Sequence, residues 1–321
     1  MTVLAHAENH YPVMLPEVLG AISPRDGEVY VDGTFGAGGY SRALLEAADC
    51  KVYGIDRDVS ARATGAALEG EFPGRFVFLR GCFGDVQALL SQAGVSRVDG
   101  FVLDIGVSSM QIDEGERGFS FRYDGPLDMR MDVEAGLTAA DIVNTYEEED
   151  LANVIYQFGE ERQSRRVAKK IVERRAERKF ETTGDLADVV RSAVFKKHSD
   201  KIDAATRTFQ ALRIAVNDEL GELDRALDAS ESILSDGGRL VVVSFHSLED
   251  RRVKTFLKDN SSQGGGSRYL PGEQEAAPAV FDLPYRNKAI KPSDKEIAEN
   301  ARSRSARLRC GVRCPRVGGA S

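Results

Sequence analysis

A short apolar strand followed by a glycine-rich turn, within residues 28–46, constrains the fold of this chain most strongly. The stretch reads EVYVDGTFGAGGYSRALLE: Asp32 ends the strand, Gly33, Gly36, Gly38 and Gly39 fill the turn, and an amphipathic helix follows. Glycines at this density allow positive φ angles and the close approach of a ligand, and the N–H groups that open the helix can hold an anionic group. The pattern is typical of the first βα turn of a doubly wound sheet, where nucleotides and related cofactors bind. A plain tight turn is the alternative interpretation.

Short, continuously apolar runs predict the strands of a parallel sheet that is buried on both faces, at 29–31, 52–55, 76–79, 100–103 and 240–245. The interval between the fourth and fifth strands is too long for a structureless loop, and its periodicity is helical. We therefore predict an α/β domain formed by 1–112 and 205–321, with an inserted all-helical domain at 113–204. A terminal edge strand is predicted at 305–312. One long helix, with apolar positions from Phe209 to Leu234, is predicted to end at Asp236-Gly237-Gly238.

The charge of the chain is unevenly distributed. Its net charge is −8, yet residues 161–180 hold nine Lys/Arg and three Glu, and residues 301–316 hold six Arg and no acid. Two basic segments on an otherwise acidic molecule favour docking to a shaped polyanion over the coating of any polyanion. The apolar fraction of 42% and charged fraction of 29% are those of a globular protein, without a transmembrane run. An export signal is lacking, and cysteine and histidine are sparse and scattered, so we expect a cytoplasmic protein without a metal.

Acids follow three of the predicted strands, at Asp32, Asp56 and Asp104. Because ligands of open α/β sheets bind beyond the carboxyl ends of the strands, Asp56, about twenty residues past the glycine turn, is placed to accept hydrogen bonds from a ribose diol. Nicotinamide dinucleotides and S-adenosylmethionine both carry that diol. The turn lacks both a P-loop Gly-Lys-Ser/Thr and a regular GxGxxG, and an acid-lined site suits a sulfonium cation better than a pyrophosphate. The residues favour S-adenosylmethionine; a nicotinamide-dependent oxidoreductase with a helical substrate domain is the alternative, and a non-enzymatic ribosome-binding factor is a weaker third.

A series of longer motifs is more specific. HYPVML, DGTFGAGGYS, GIDRD, DIGVSS, ERGFSF, GPLDMRM, FGEER, ATRTFQALRIAVNDEL, SFHSLEDR and ARSRSARLR occur in this order, from about residue 10 to 312. In these motifs the chain resembles the bacterial ribosomal RNA small subunit methyltransferase H family. The resemblance implies a seven-stranded, Rossmann-like S-adenosylmethionine-dependent methyltransferase sheet with an inserted helical substrate-recognition domain. It also implies methylation of N4 of a cytidine in the decoding region of 16S ribosomal RNA, within the assembled small subunit.

The same resemblance places cofactor contacts on seven residues of this sequence: Gly38, Gly39, Tyr40, Asp56, Phe83, Asp104 and Gln111. The chain departs from the family pattern at Tyr40, where histidine is common, so a side-chain contact there is in doubt while a backbone contact is retained. It also has Asp203-Ala204 where His-Pro is common, which affects a loop. For Phe83, ordinary core packing is the alternative to a contact with adenine. The sequence leaves open whether the protein forms a homodimer.

The expected chemistry singles out a second set of residues. The exocyclic amine of cytosine is a weak nucleophile, so an enzyme must hold it in line with the methyl group and accept its N–H bonds. Asp104 and the pair Ser108–Ser109, just after the fourth strand, are the candidate acceptors. The candidates for stacking on the target base, which the sequence does not rank, are Phe119, Phe121, Tyr123 and His246. The candidate RNA contacts are the basic helix of 160–179, with a stripe at 162, 166, 170, 174 and 178, and Arg117, Arg122 and Arg130.

Overall fold

The computed structural model describes residues 12–134, 136–195, 202–261 and 278–316. The strands are β1 (Val29–Asp32), β2 (Lys51–Asp56), β3 (Phe76–Arg80), β4 (Val98–Asp104), β5 (Leu234–Ser244), β6 (Phe281–Asp282) and β7 (Arg307–Arg313). The α-helices are α1 (Leu15–Ile22), α2 (Gly39–Ala47), α3 (Ala61–Glu71), α4 (Val86–Gln92), α5 (Ser109–Asp113), α6 (Ala139–Thr145), α7 (Glu148–Gly159), α8 (Ser164–Glu177), α9 (Thr183–Ala193), α10 (Thr206–Asn217), α11 (Glu219–Ile233), α12 (Ser247–Asp259) and α13 (Asp294–Glu299).

The chain divides into two compact units, one formed by Met1–Gly106 with Leu220–Ser321 and the other by Val107–Glu219. The first unit contains a seven-stranded sheet of order β3-β2-β1-β4-β5-β7-β6. Strands β1 to β5 pair in parallel, and β7 runs antiparallel to β5 and β6. The order of the strands reverses between β1 and β4, which is where a ligand is expected in a doubly wound sheet. The predicted fold class, a seven-stranded Rossmann-like sheet with helices, is confirmed.

Two details of the sheet differ from the prediction. The terminal strand β7 is an inner strand, because it lies between β5 and β6, whereas an edge position was predicted. The true edge, β6, has only two residues and was not predicted, since so short a run has no period to recognise. The sheet is otherwise buried as expected: neighbouring residues of β1 face opposite sides, Tyr30 in one apolar cluster and Val31 in the other.

The second unit is helical, and its core is formed by the apolar faces of α6 to α10. Helix α6 begins with a capping box, in which Thr138 Oγ1 accepts from the N–H of Asp141 and the Asp141 carboxylate accepts from the N–H of Thr138. A glycine after a run of helical period, such as Gly159, commonly lies just past the end of its helix. In the structure Gly159 is the last residue of α7 and Glu160 adopts the left-handed conformation, with φ 51°. Gly159 is needed for packing instead, since a Cβ there would lie 2.4 Å from the carbonyl oxygen of Arg207.

The predicted long helix from 209 to 234 is wrong, because it is two helices. Asp218 adopts a left-handed conformation, with φ 49°, which ends α10, and α11 begins at the next residue. Residues 234–238, expected to end that helix, already belong to β5. The sequence assigned 205–219 to the sheet domain, whereas α10 packs against α7 and lies in the helical unit. In the described part of the chain, none of the helices has the length and apolar character needed to cross a bilayer.

Candidate functional site

Asp32 is the buried anchor of the glycine turn. Its carboxylate is fully buried and accepts hydrogen bonds from Ser41 Oγ at 2.8 Å and from the N–H groups of Ser41 and Thr34, both at 3.2 Å. Burial raises the pKa of Asp32 to about 6, although these hydrogen bonds oppose the shift. The sequence predicted an acid here; the two residues that fix its position, Thr34 and Ser41, were not predicted. Their signal is a hydroxyl at two and at nine residues after the acid.

Asp56, at the end of β2, is bonded to the same turn. Its Oδ2 accepts from the N–H of Gly36 at 2.7 Å and its Oδ1 from the N–H of Asp58 at 2.8 Å. Burial raises the pKa of Asp56, and the two backbone donors oppose that shift. Because an ionised carboxylate has about four acceptor positions, Asp56 retains the capacity to accept from a ribose diol.

Asp104, at the end of β4, completes the group of three acids. Its backbone N–H donates to Thr34 Oγ1 at 2.7 Å, which joins the end of β4 to the glycine turn. Its Oδ1 is buried and accepts no hydrogen bond of normal geometry from the described residues, because the neighbouring Tyr40 hydroxyl donates to Val13. Burial, followed by the negative charge of Asp32, raises the pKa of Asp104 to about 8, and the Tyr40 hydroxyl opposes that rise. Since a buried polar atom without a partner is costly, this oxygen indicates a bound group that compensates it.

The glycines of the turn serve the protein's own geometry as well. Gly38 has φ 77° and precedes α2, a helix without a side-chain cap or an acid in its first turn. A Cβ on Gly39 would lie 2.3 Å from Pro12 Cγ, so Gly39 is required by the chain itself. Tyr40 is buried and its hydroxyl donates to the carbonyl oxygen of Val13. The tyrosine side chain is therefore part of the core, which leaves its backbone as the part available to a cofactor.

Phe83 begins a short 3-10 turn after β3 and is partly buried against the sheet. It lies beside the glycine turn, since a Cβ on Gly33 would be 3.3 Å from Phe83 Cβ. The first unit thus brings together the glycine turn, Asp56, Phe83 and Asp104 at the carboxyl ends of neighbouring strands.

Ser108 and Gln111 lie in the second unit and are bonded to each other. The N–H of Ser108 donates to Gln111 Oε1 at 3.0 Å, and the N–H of Gln111 donates to Ser108 Oγ at 3.2 Å. Gln111 is buried at the start of the segment that follows β4. The side chain of Ser109 lies outside the part of the chain that the structure describes. Because Ser108 Oγ is the acceptor in its bond with Gln111, the Ser108 hydroxyl can still donate its own proton.

His246 and Glu249 form an arrangement that the sequence did not predict. His246 caps α12: its Nδ1 accepts from the N–H of Glu249 at 3.4 Å, and Glu249 Oε2 accepts from the N–H groups of Phe245 and His246. Glu249 is fully buried. The His-Ser-Leu-Glu spacing is that of a capping box with histidine in place of serine, and this signal was present in the sequence. The cap accounts for His246 structurally.

The remaining candidates lie in the helical unit and differ in exposure. Phe121 packs edge-on against Phe209, with ring centroids 4.9 Å apart, whereas Tyr123 is 58% exposed. Arg117 donates to two backbone carbonyls, and Arg130 pairs with Asp128 at 2.8 Å. Arg117 and Arg130, two of the three arginines predicted to contact RNA from this loop, therefore bond within the protein, whereas Arg122 is exposed. Phe119 is partly buried against the helical core.

The order of the sheet, its antiparallel seventh strand, the glycine turn after β1 and the acids after β1, β2 and β4 together define a Rossmann-like methyltransferase. The comparison with known families agrees. The chain belongs to the MraW methylase family, whose model matches residues 7–313. S-adenosylmethionine is the cofactor of this class of methylase, so the predicted family and cofactor are confirmed, and the nicotinamide-dependent alternative is set aside.

Curated relatives cover almost the whole chain. A protein from Rhodospirillum rubrum is 61% identical over 305 residues, covering 94% of this chain and 93% of its own, and one from Paramagnetospirillum magneticum is 58% identical, covering 95% of each. Both are called ribosomal RNA small subunit methyltransferase H. Among solved structures, an rRNA methylase from Streptococcus thermophilus aligns over 94% of each chain with a TM-score of 0.41 and 9% identity. That degree of structural likeness carries no functional argument.

Proposed function

We propose that this protein transfers a methyl group from S-adenosylmethionine to the exocyclic N4 of a cytidine in the decoding region of 16S ribosomal RNA, within the assembled small subunit. The observation that carries the proposal is the near full-length identity, 54–61%, to relatives called ribosomal RNA small subunit methyltransferase H. The choice of N4 and of the decoding region rests on the family resemblance in the motifs of the sequence.

The acids of the first unit fit a positively charged methyl donor. Asp32, Asp56 and Asp104 stand at the ends of β1, β2 and β4, and within the described ranges no residue donates a normal hydrogen bond to the buried Asp104 Oδ1. A cation near these carboxylates would favour their charged forms, whereas a pyrophosphate would be repelled. Their arrangement therefore supports a sulfonium cofactor over a dinucleotide.

Each residue on which the family resemblance places a cofactor contact has a role in the proposal. Asp56 accepts the ribose hydroxyls, Phe83 lies against the adenine, and the N–H groups around Gly38, Gly39 and Tyr40 hold the carboxylate of the methionine part. Gln111 contacts the cofactor from the segment after β4. When bound, S-adenosylmethionine supplies a methyl group that its sulfonium makes electrophilic.

The reaction requires control of one amine. The lone pair of the cytosine N4 is delocalised into the ring, so the nitrogen must be held in line and allowed to become pyramidal while its N–H bonds are accepted. As N4 forms the new bond to the methyl carbon, the bond from that carbon to sulfur would break, S-adenosylhomocysteine would leave, and N4 would lose one proton. We assign acceptance of the N–H bonds to Asp104 and Ser108, because no residue that the structure describes donates a hydrogen bond of normal geometry to Asp104 Oδ1 and Ser108 follows four residues later.

The substrate RNA must approach an acidic molecule. The basic residues at the start of α8 supply local positive charge on a chain whose net charge is −8, which supports docking of a shaped polyanion. The segment 301–316 supplies less than its composition predicted, because Arg309 is buried and pairs with Asp250 and Arg316 pairs with Asp236. The target base is turned out of its surroundings to reach the cofactor.

A methyl-transfer assay tests the proposal. Purified protein is incubated with S-adenosylmethionine labelled in its methyl group and with small subunits from cells that lack this protein, and the 16S RNA is then digested to nucleosides for mass spectrometry. We expect label in N4-methylated cytidine. Label on another atom or nucleoside, or no transfer, contradicts the proposal.

A further inference from the structure

The basic residues of α8 fall into two groups with different partners. In the second half of the helix, Lys170 pairs with Glu173 at 2.7 Å and Arg174 pairs with Asp185 at 2.8 Å. Arg175 donates to the carbonyl oxygen of Val143 at 2.8 Å. The stripe predicted at every fourth residue is therefore partly neutralised at this end. Its cations here hold the helical unit together.

The arginines at the start of α8 are different. Arg162 and Arg165 are exposed and form no ion pair with any residue that the structure describes. The first turn of α8 has no acid, and positive charges beside the positive end of a helix dipole destabilise the helix. Stability of the fold therefore does not account for these two charges.

Two exposed aromatic rings lie beside these arginines. Tyr156 is 59% exposed and Phe195 is 73% exposed. The Arg166 guanidinium stacks on the Phe195 ring, 3.6 Å from its centroid. The Gln163 side chain binds the backbone of Phe195 twice, donating to its carbonyl oxygen at 3.2 Å and accepting from its N–H at 3.1 Å. The Phe195 ring is thus held in a defined position while it remains exposed to solvent. This arrangement is unfavourable for the fold alone, because it orders the ring without burying its apolar surface.

A groove of about 380 Å³ lies beside Tyr156, and its lining includes Asn153, Tyr156, Arg162, Gln163, Arg165 and Arg166. Phe195 is not part of this lining and contacts it through Arg166. We call this groove the Tyr156 groove. It combines an accessible aromatic face, guanidinium groups that pair with no carboxylate in the described part of the chain, and amide groups that can donate and accept hydrogen bonds.

We propose that the Tyr156 groove binds an unstacked nucleotide of single-stranded RNA, distinct from the nucleotide that is methylated. The base stacks on Tyr156, Arg162 and Arg165 contact the flanking phosphates, and the Arg166–Phe195 pair extends the stacking surface. Aromatic rings and guanidinium planes are the usual platforms for splayed-out bases. An acidic protein segment would satisfy the arginines but would leave the ring faces without a stacking partner. The proposal rests on the proposed function, because it takes the substrate to be RNA.

Substitutions separate stacking from charge. Tyr156→Leu keeps an apolar side chain and removes the ring, and Tyr285→Leu, at a 41% exposed tyrosine of the sheet unit, is its control. The charge variant is Arg162→Gln with Arg165→Gln, and its control, Lys254→Gln with Lys258→Gln, removes two exposed charges from α12 of the sheet unit. An unchanged melting temperature and affinity for S-adenosylhomocysteine show that each variant is folded.

The measurement is the dissociation constant for small subunits that lack the modification, over a series of KCl concentrations. We expect Tyr156→Leu to weaken binding roughly 5- to 100-fold, from the loss of stacking on one base, with no change in the salt dependence. The arginine variant should make the negative slope of log K against log salt shallower by about 1.4, which corresponds to the loss of two contacts to single-stranded phosphates. Both controls should stay within about twofold of the unsubstituted protein in affinity.

Two results would overturn the groove as a nucleotide site. One is a Tyr156→Leu protein that binds as tightly as Tyr285→Leu; the other is crosslinking of the Tyr156 peptide to a ribosomal protein instead of RNA. If the unsubstituted protein methylates small-subunit RNA and Tyr156→Leu behaves normally, the groove proposal alone fails. If the unsubstituted protein transfers no methyl group, the proposed function fails.

Discussion

The N–H of Gly36 donates to the Oδ2 of Asp56 across 2.7 Å, so the acid at the end of β2 is bonded directly to the glycine turn after β1. Thr34 makes the corresponding link to β4, since its Oγ1 accepts from the N–H of Asp104. The turn is therefore held from both neighbouring strands. A change at either acid should affect the shape of the turn as well as any direct contact with the cofactor.

Asp56→Ala should weaken the binding of S-adenosylhomocysteine by roughly ten- to a hundredfold, because charge-assisted hydrogen bonds to the ribose contribute about 1.5–3 kcal/mol. Asp56→Asn retains one carbonyl acceptor and should lose less. Isothermal titration calorimetry of the three proteins measures the effect. An unchanged dissociation constant for Asp56→Ala would remove Asp56 from the ribose site.

Cofactor binding should depend on pH through Asp104. Burial raises the pKa of Asp104 to about 8, so below that pH the free protein holds this carboxyl protonated. A cationic ligand favours the carboxylate, and binding should expel the proton. The affinity for S-adenosylmethionine should rise between about pH 6 and 8 and then level off, whereas the uncharged sulfur of S-adenosylhomocysteine should give a weaker dependence. Equal pH profiles for the two ligands, or a profile retained by Asp104→Asn, would contradict this.

Asp104→Asn should make the ligand-free protein more heat-stable at pH 8 and less active. In the folded state the pKa of Asp104 lies above its ordinary value of 3.8, so the folded protein binds more protons than the unfolded chain between about pH 4 and 8. Below about pH 4 Asp104 does not lower the free energy of unfolding, because it is protonated in both states. As the pH rises to about 8 it lowers that free energy progressively. Melting temperatures at pH 5 and pH 8 test this: the gain from Asp104→Asn should be clearly larger at pH 8 than at pH 5. An amide can still accept an N–H bond but carries no negative charge and cannot take up the proton, so Asp104→Asn should lower kcat by roughly 10²- to 10⁴-fold.

Gly159→Ala should destabilise the helical unit. Its Cβ would lie 2.4 Å from the carbonyl oxygen of Arg207, so α7 and α10 must separate, at a cost of about 1–3 kcal/mol. Gly70→Ala is the control: Gly70 lies in α3 and its Cβ would meet nothing within 4 Å, so this change should stabilise by about 0.5–1 kcal/mol. Urea unfolding measures both. Equal effects of the two substitutions would show that α7 and α10 tolerate the methyl group.

Sequence patterns gave the parts of the site that depend on local order along the chain. An acid directly after an apolar run must lie at the end of a strand, so Asp32, Asp56 and Asp104 were predictable. The bonds that organise them were not, because Thr34 and Ser41 have no distinctive period and become important only when the turn folds back. The same limit applies to α10 and α11: the apolar positions continue through Asp218, and only its backbone conformation separates the two helices.

A crystal structure with S-adenosylhomocysteine tests the central claim most directly. The account predicts that the ligand lies across the carboxyl ends of β1, β2 and β4, with its ribose hydroxyls on Asp56 and its sulfur near Asp104 Oδ1. A ligand bound anywhere else in the molecule, or one whose ribose makes no contact with Asp56, would contradict it.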